Sequence, residues 1–288
     1  MNCSLQRSNK IVVFDMDETL GYFVEFGMFW DALLKYQSTY KLEQPDFNKI
    51  LDLYPEFIRP NILSILNYLK HKKVAKECSK VMIYTNNQGP RQWVDYLKDY
   101  FETKIKYKLF DQIIGAFKVN GKRVEMCRTT YEKTLPDFIK CTNIPENTQI
   151  CFLDDLYHPK MVYDNVYYIK VNPYVHDLSI DVMLRRFINS AIGSMIIQKG
   201  DIAYFIQFMK SYIANYNFVH SVKIKGEYEF DKIMTKKTMI HLQIFFNRRS
   251  INKNRPIRSI TKNNNNNNRN NKNKNTIGKT KTRKNKKL

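Results

Sequence analysis

The feature that most constrains the fold is a set of short, nearly continuous apolar runs. They are KIVVF (10–14), KVMIYT (80–85), QICFL (149–153) and NVYYIKV (165–171). Continuous apolar character without alternation is typical of strands buried on both faces of a parallel sheet. Between the runs lie segments that place apolar residues on one face of a helix: RPNILSILNYLK (59–70), PRQWVDYLKDYF (90–101) and KTLPDFIKC (133–141). This alternation predicts an α/β protein with a Rossmann-like, three-layer α/β/α arrangement around a parallel sheet.

Two segments exceed this minimal alternation of strands and helices. Residues 22–56 are rich in aromatic side chains and separate the first strand from the first clear helix, so we expect a small flap over the strand ends. Residues 109–128 read as two short strands joined at Asn120-Gly121, a dipeptide that strongly favours a two-residue hairpin turn. The sequence therefore predicts a β-hairpin insertion in this segment.

Composition changes twice along the chain and predicts three parts. Residues 1–176 hold the strands and helices described above, and residues 177–250 carry mostly helical patterns without obvious chemistry. Residues 251–288 contain thirteen of the 48 Lys and Arg residues and none of the 27 Asp and Glu residues. Because this tail has so few apolar residues, we expect it to be disordered. Its charge favours contact with nucleic acid or acidic proteins, and the alternative is a purely solubilising extension.

Cysteine usage and hydropathy indicate the cellular compartment of the protein. The five cysteines are scattered without a CxxC pair, at Cys3, Cys78, Cys127, Cys141 and Cys151. This pattern predicts reduced thiols, without a disulfide framework or a zinc cluster. The N-terminal residues lack the apolar run of a signal peptide, and the most apolar later stretch is broken at residues 199–201. We therefore expect a soluble protein of the cytoplasm or nucleus that does not bind membranes.

Polar clusters follow the first three apolar runs. In chain order they are Asp15-Met16-Asp17-Glu18-Thr19, then Thr85-Asn86-Asn87, then Asp154-Asp155. The carboxyl ends of parallel strands meet at one edge of a sheet, where α/β proteins bind ligands. Buried carboxylates need compensation, and oxygen donors without nearby His or Cys suit Mg²⁺. The sequence therefore predicts a magnesium site that includes Asp15, Asp154 and Asp155.

A magnesium site beside a further carboxylate suggests phosphoryl transfer. Asp15 would attack the phosphorus and carry an aspartyl-phosphate. Asp17 lies two residues further on and shares the side-chain direction of Asp15 if the backbone stays extended. It would protonate the leaving oxygen and then take a proton from the hydrolytic water.

The phosphate itself needs hydrogen-bond donors and a positive charge. Thr85 ends the second apolar run, and we expect it to bind phosphoryl oxygens together with its neighbour Asn86. A lysine should complete the site. Lys133 lies at the start of a helix shortly before the third run and is the candidate, with Lys140 as its local competitor.

These residues, in this order and context, resemble the four motifs of the haloacid dehalogenase superfamily. Within it, DMDETL (15–20) resembles the signature of the C-terminal-domain phosphatase branch, also called NLI-interacting-factor-like. Further segments resemble that branch over roughly residues 10–175: FIRPNILSIL (57–66), YEKTLPDFIKC (131–141) and CFLDDLYHPKMVYDNVYYIKV (151–171). Arg59, Pro60 and Asn165 are matching positions within them.

The resemblance implies a Mg²⁺-dependent phosphatase that acts on phosphoserine or phosphothreonine of proteins. It implies Asp15 as nucleophile, Asp17 as acid and base, and Thr85 and Lys133 as phosphate ligands. The magnesium ligands that it implies are Asp15, the backbone carbonyl of Asp17 and Asp155, supported by Asp154.

Two stretches depart from that branch, and both concern the substrate. GYF (21–23) replaces the usual residues after the signature, and TNNQGPRQW (85–93) is similar to the T-N-Q-x-G segment of polynucleotide 3′-phosphatases in the same superfamily. The alternatives are therefore a phosphatase of polynucleotide ends, or a non-catalytic nucleic-acid-binding scaffold on a phosphatase fold. Richness in Asn and Lys is compatible with an AT-rich genome such as that of a large DNA virus.

Several other side chains keep two interpretations each. Arg123 and Arg128, beside the predicted hairpin, either contact substrate or are solvated. His158 is either a second acid and base or a capping, solvent-facing residue. The aromatic residues of the flap either line the substrate entrance or pack inside the protein: Tyr22, Phe23, Phe26 and Trp30.

Overall fold

A parallel sheet organises the computed structural model, which describes residues 9–36, 41–197, 201–218 and 223–248. The strands in these residues are β1 (Lys10–Phe14), β2 (Lys80–Tyr84), β3 (Phe110–Ile114), β4 (Lys118–Val119), β5 (Lys122–Arg123), β6 (Gln149–Asp154) and β7 (Val166–Lys170). Five of them form the sheet, in the order β3-β2-β1-β6-β7, and every neighbouring pair is parallel. The first strand of the chain therefore lies at the centre of the sheet.

The helices within the described residues fall between and after these strands. They are α1 (Val24–Tyr36), α2 (Gln44–Leu51), α3 (Ile62–Val74), α4 (Arg91–Ile105), α5 (Leu135–Thr142), α6 (Ile180–Ile188), α7 (Ala191–Ile196), α8 (Ile202–Ala214) and α9 (Lys225–Asn247). Short 3₁₀ helices occur at Pro55–Phe57 and Pro159–Met161. None of the described helices is both long and apolar enough to cross a membrane.

Helices cover both faces of the sheet, as continuous apolar strands require. All five residues of β1 are buried. Ile11 and Val13 pack in a core with residues of α5, whereas Val12 and Phe14 pack in a larger core with residues of α3, α4 and other helices. Alternate residues of a strand face opposite sides, so the two cores lie on opposite faces. The predicted three-layer α/β/α fold is confirmed.

The sheet contains one strand that the sequence analysis assigned elsewhere. Residues 110–114 were expected in the hairpin, but they form β3, the edge strand paired with β2. The segment reads FDQII, and an edge position tolerates its polar residues. Asp111 accepts hydrogen bonds from Lys73 Nζ at 2.7 Å and from the backbone nitrogen of Val81 at 2.7 Å. A less apolar edge strand therefore gave no clear signal in the sequence.

The predicted hairpin is present but shorter. It consists of β4 and β5, which pair antiparallel around Asn120 and Gly121. These two residues have φ values of 49° and 75°. Positive φ at both central positions is the geometry that an Asn-Gly dipeptide favours in a two-residue turn.

The aromatic segment 22–56 forms helices α1 and α2 and packs tightly. Phe26 and Phe29 are fully buried, and the ring centroids of Phe26 and Phe47 lie 5.2 Å apart. Gly21, just before this segment, lies very close to the backbone of Phe57. A Cβ at residue 21 would be 2.4 Å from the backbone oxygen of Phe57. Only glycine fits at that point, which is where the chain turns from the end of β1 toward α1.

The helical segment after residue 177 packs onto the α/β part. Helix α8 lies against α1, and α9 lies against β7. Lys10 in β1 donates to the backbone oxygens of Phe246 at 2.7 Å and Arg248 at 2.6 Å, at the C-terminal end of α9. The described residues belong to one compact unit. The tail predicted to be disordered lies outside the described residues.

One cysteine prediction is wrong. The sequence analysis expected reduced thiols, but Cys127 and Cys141 form a disulfide, with their Cα atoms 5.0 Å apart. Cys127 precedes the loop that carries Lys133, Cys141 lies in the last turn of α5, and only the folded chain brings them together. Cys78 and Cys151 are buried free thiols. Cys3 lies outside the described residues.

Candidate active site

The sheet order brings the three polar clusters to one edge. Strand β1 lies between β2 and β6, and Phe14 is aligned with Ile83 on one side and Leu153 on the other. The residues that follow these positions are therefore neighbours. The backbone nitrogen of Asp15 donates to the oxygen of Leu153 at 2.8 Å, which continues the pairing into the site. Asp15 and Asp154 consequently lie side by side, and Thr85 comes one residue after the position of β2 that is level with Asp15.

Three carboxylates form a buried acidic triad at this edge: Asp15, Asp154 and Asp155. Each offers an oxygen atom, and these atoms lie within 4.8 Å of one another. The residues are 7%, 0% and 5% exposed. Asp155 is also oriented by Thr19, whose hydroxyl lies 3.2 Å from Asp155 Oδ1. Convergent carboxylate oxygens are the donor set that a hard divalent cation prefers.

Lys133 supplies the positive charge at the triad. Its Nζ lies 2.5 Å from Asp15 Oδ1 and 2.7 Å from Asp154 Oδ2, and the residue is 2% exposed. It occupies the position just before the N-cap residue Thr134 of α5, so the start of the helix directs it into the site. Lys140, the competitor on the same helix, is exposed. The structure thus brings Lys133, and not Lys140, to Asp15.

Burial shapes the protonation of these groups. Burial raises the pKa of Asp15 to about 8, although Lys133 acts in the opposite direction. Burial also raises the pKa of Asp17 and of Asp155. The pKa of Lys133 is raised, because the charges of Asp15 and Asp154 outweigh the effect of its burial. One ammonium group faces several carboxylates here, so a further cation would stabilise their ionised forms.

Asp17 is held by the segment that follows β2. Its Oδ2 accepts a hydrogen bond of 2.8 Å from Asn87 Nδ2. The backbone nitrogen of Asn87 in turn donates to the hydroxyl oxygen of Thr85 at 3.0 Å, and Thr85 is 1% exposed. Asn86, the amide chosen in the sequence analysis, is exposed. Asn87 belongs to the predicted polar cluster, but Asn86 was chosen as the ligand in its place, because the turn after Thr85 decides which amide points inward.

Arg59 fixes the backbone of the loop after β1. The residue is 3% exposed, and its Nε donates to the oxygen of Thr19 at 2.6 Å. Its Nη2 donates to the oxygens of Glu18 and Asn172. Glu18 has a φ of 56°, a conformation that costs free energy for a residue with a Cβ. Arg59 therefore stabilises a strained turn directly after the candidate acid Asp17.

Arg128 connects the segments that carry Thr85 and Lys133 from inside the protein. It is fully buried, and its Nη1 donates to the oxygens of Thr85 at 3.2 Å and Gly115 at 2.8 Å. Its Nη2 donates to the oxygen of Tyr131 at 3.0 Å, two residues before Lys133. Burial among backbone oxygens agrees with neither interpretation left open for this residue. Arg128 is a structural support for the segments of Thr85 and Lys133.

Three other positions named from the sequence make structural contacts. His158 is 7% exposed, and its Nε2 lies 3.4 Å from Asp154 Oδ2. It is therefore a buried neighbour of the triad. Arg123 donates to the oxygen of Met126 at 2.8 Å. Asn165 donates to the backbone oxygens of Glu146 and Thr148 at 3.0 Å each and joins the loop before β6 to the start of β7.

An aromatic cavity of about 1070 Å³ opens beside Asp17 and Glu18. Its aromatic wall comes from three separate parts of the chain: Tyr22, Phe23 and Trp30, then Trp93 and Tyr96, then Tyr216 and Phe218. Of the flap aromatics named from the sequence, Phe26 is fully buried, and the other three line this aromatic cavity. Trp93 and Tyr96 were recognised only as one face of a helix.

The helical segment without recognisable chemistry also reaches this cavity. Tyr216 follows α8, and its hydroxyl donates to Asp31 Oδ2 at 2.6 Å. Tyr212 in α8 donates to the same oxygen at 2.7 Å. Both contacts depend on the packing of α8 against α1, which joins residues about 180 positions apart. No local pattern in the sequence indicates such a contact.

No protein-family model, curated protein or solved structure matches this chain. The class of protein is therefore defined by its architecture and site. It is a Rossmann-like α/β protein with a buried acidic triad and a lysine at the carboxyl edge of its parallel sheet. The superfamily suggested by the motifs stays a prediction.

Proposed function

We propose that this protein is a Mg²⁺-dependent phosphatase that hydrolyses phosphomonoesters through an aspartyl-phosphate on Asp15. One observation carries the proposal. Lys133 Nζ contacts both Asp15 and Asp154 inside a buried acidic triad, with Thr85 at the end of the neighbouring strand. A nucleophilic carboxylate, a cationic phosphate ligand and a metal-binding set at one sheet edge are the parts that this chemistry needs.

In the first step, a carboxylate oxygen of Asp15 forms a bond to the phosphorus while the bond to the leaving oxygen breaks. Asp17 gives its proton to that oxygen, and the alcohol departs. The raised pKa of Asp17 favours the protonated form that this step needs. Lys133 and the hydroxyl of Thr85 hold the oxygens of the transferred group.

In the second step, water attacks the phosphorus of the aspartyl-phosphate. Asp17, now ionised, takes a proton from that water, and the bond between phosphorus and Asp15 breaks. Inorganic phosphate leaves, and Asp15 returns to a carboxylate. Asn87 keeps the Asp17 carboxylate in one position for both proton transfers through its 2.8 Å hydrogen bond.

The residues present fit a magnesium ion. The acidic triad offers only carboxylate oxygens, which are the donors that this hard cation selects. Asp15, Asp154 and Asp155 would hold it, with the backbone carbonyl of Asp17 as a further ligand. When bound, the ion neutralises charge on the phosphoryl group, so that a carboxylate can approach it.

The substrate class in this proposal is phosphoserine or phosphothreonine of proteins, supported by the resemblance of DMDETL (15–20) and its companion segments. A polynucleotide 3′-phosphatase is the alternative, supported by TNNQG (85–89). A non-catalytic nucleic-acid-binding scaffold is the third possibility. The intracellular location, cytoplasmic or nuclear, and the contact of the basic tail with nucleic acid belong to the same proposal.

One experiment tests the activity. The purified full chain is given p-nitrophenyl phosphate, a phosphoserine peptide and a 3′-phosphorylated oligonucleotide, each with Mg²⁺ and with a chelator. We expect Mg²⁺-dependent release of phosphate, lost in Asp15→Asn and kept in Asp164→Asn, an exposed aspartate away from the triad. Activity that survives Asp15→Asn would contradict the mechanism, and inactivity on every substrate would favour the scaffold.

A further inference from the structure

The aromatic cavity beside Asp17 is a second functional element, and it bears on the substrate. We propose that it binds the leaving group and that the substrate is a phosphomonoester whose leaving group carries apolar or aromatic groups. This inference rests on the proposed phosphatase function. It goes further because it assigns a binding role to Trp30, Trp93 and Tyr96.

The position of Asp17 connects the cavity to the reaction. Asp17 and Glu18 belong to the cavity wall, and Asp17 is the residue that protonates the leaving oxygen in the proposed mechanism. A general acid must lie within hydrogen-bond reach of the oxygen that it protonates. The carbon skeleton attached to that oxygen therefore extends from Asp17 into the cavity.

The wall of the cavity is preformed and apolar. The ring centroids of Trp30 and Tyr96 lie 5.6 Å apart, and Tyr96 stacks on Phe47 at 4.9 Å. Trp93 packs on Phe26 at 5.9 Å. Rings held by one another in this way leave a surface that needs little rearrangement to bind an apolar group. The volume of about 1070 Å³ is similar to the pockets of about 300–1,000 Å³ that bind small organic ligands.

The charges in the cavity disfavour a polyanion. Of the described residues that line it, Asp17, Glu18 and Asp31 are acidic, and Lys41 is the one basic residue. Asp31 is already bound by the hydroxyls of Tyr212 and Tyr216. A polynucleotide would bring further phosphates toward these carboxylates, with Lys41 as the one basic partner among the described lining residues. An uncharged apolar group avoids that repulsion.

Two sources share this chemistry. One is a phosphorylated serine or threonine with apolar neighbours in a peptide, and the other is a free alkyl or aryl phosphate. Two phosphoserine peptides distinguish them, one with Leu and Phe beside the phosphoserine and one with Asp at the same positions. Preference for the apolar peptide over hexyl phosphate assigns the cavity to a peptide, and the opposite preference assigns it to a small molecule.

The direct test compares ethyl phosphate with hexyl phosphate, whose leaving oxygens have the same chemistry. We expect kcat/KM to be at least about tenfold higher for hexyl phosphate, because four more methylene groups are removed from water. Equal values for the two esters would overturn the proposal. A 3′-phosphorylated oligonucleotide that is hydrolysed faster than hexyl phosphate would overturn the substrate class.

A cavity-filling variant tests the location. Gly27 lies in α1 on the cavity wall, and a Cβ there would lie 3.5 Å from the Trp93 ring. Gly27→Leu should occupy the part of the cavity next to Trp93 while improving helix propensity. We expect the preference for hexyl over ethyl phosphate to fall about tenfold, toward one. Gly226→Leu in α9, where an added Cβ meets nothing within 4 Å, should keep the preference. An unchanged preference in Gly27→Leu would overturn the assignment.

A binding measurement separates this inference from the proposed function. The two tryptophans of the chain, Trp30 and Trp93, both line the cavity, so tryptophan fluorescence reports its occupation. Hexyl phosphate should change the fluorescence of Asp15→Asn saturably, and Gly27→Leu should abolish the change. If no substrate is hydrolysed but this change occurs, the phosphatase proposal fails and the cavity assignment stands. If hydrolysis occurs without this change, the cavity assignment fails.

Discussion

Asn87 donates a hydrogen bond of 2.8 Å from its side-chain amide to Oδ2 of Asp17. This contact joins the segment after β2 to the segment after β1. The backbone nitrogen of Asn87 also donates to the hydroxyl oxygen of Thr85. A single residue therefore positions both the candidate acid and a candidate phosphate ligand.

Removal of the Asn87 amide should impair proton transfer. We expect Asn87→Ala to lower kcat for alkyl phosphates roughly ten- to a hundredfold, since a general acid contributes about 10²–10⁴-fold and would lose its orientation. The loss should be smaller for p-nitrophenyl phosphate, whose leaving group needs no proton. Gln88→Ala, an exposed change in the same loop, is the control. Equal losses on both substrates would indicate a merely structural role for Asn87.

Lys133 should be important for stability as well as for activity. Lys133→Met leaves Asp15 and Asp154 buried without their cationic partner, and we expect it to lower the free energy of unfolding by about 3–5 kcal/mol. Urea unfolding in the presence of a chelator measures this. Lys140→Met, an exposed change in the same region, should stay within about 0.5 kcal/mol. Similar losses in both variants would show that the buried ion pairs do not matter.

Magnesium should stabilise the folded protein through the acidic triad. A ligand that binds only the native state adds about 2.7 kcal/mol at a concentration of 100 Kd, so thermal unfolding should shift upward with MgCl₂. Asp155→Asn should remove the shift relative to NaCl of equal ionic strength, whereas the exposed variant Asp164→Asn should keep it. A shift that persists in Asp155→Asn would place the ion elsewhere.

The disulfide should contribute to stability in a way that a reductant reveals. Cys127 and Cys141 are separated by 14 positions, and a loop of this size corresponds to about 3 kcal/mol in the chain-entropy model. We expect a thiol reductant to lower the free energy of unfolding by about that amount. The double variant Cys127→Ser/Cys141→Ser should start at the lower value and not respond to reductant. A response of equal size in the double variant would assign the effect to other thiols.

Glu25 should make stability depend on pH. Burial, together with a hydrogen bond to Asp177, raises its pKa from 4.5 to about 8. Between these pH values the unfolded state is ionised while the folded state keeps its proton, so the unfolded state binds fewer protons. The contribution of Glu25 to stability should therefore be fully present below pH 4.5. The free energy of unfolding should fall by roughly 2–4 kcal/mol as pH rises toward 8.

The matching experiment compares Glu25→Gln with Glu146→Gln, an exposed change. Urea unfolding at several pH values should show a flatter profile for Glu25→Gln and a profile like that of the original protein for Glu146→Gln. If Glu25→Gln keeps the same slope between pH 5 and 8, another group causes the dependence.

Much of the fold could be predicted because its signals are local. The runs at 10–14, 80–85 and 149–153 match β1, β2 and β6 closely, since strands buried on both faces must be continuously apolar. The edge strand Phe110–Ile114 was missed because this rule does not apply to it. An edge strand is less buried and tolerates Asp111 and Gln112, so its sequence resembles that of a hairpin arm.

The candidate site was also predictable only in part. Asp15, Thr85, Asp154 and Asp155 could be placed together because each ends or directly follows a strand of one parallel sheet. Asn87 could not be chosen over Asn86, since a turn of two residues decides which amide faces Asp17. The buried role of Arg128 was also hidden, because its partners are backbone oxygens of three separate segments.

By itself, the sequence determined the alternation of the apolar strands β1, β2, β6 and β7 with helices and the acidic residues at the strand ends. Both follow from neighbours along the chain: apolar runs must be buried, and the residues after them must emerge at the sheet edge. Only the tertiary structure decided the pairing of Cys127 with Cys141 and the approach of Tyr216 to the aromatic cavity. Those contacts depend on how whole helices pack, and packing joins residues that no local pattern relates.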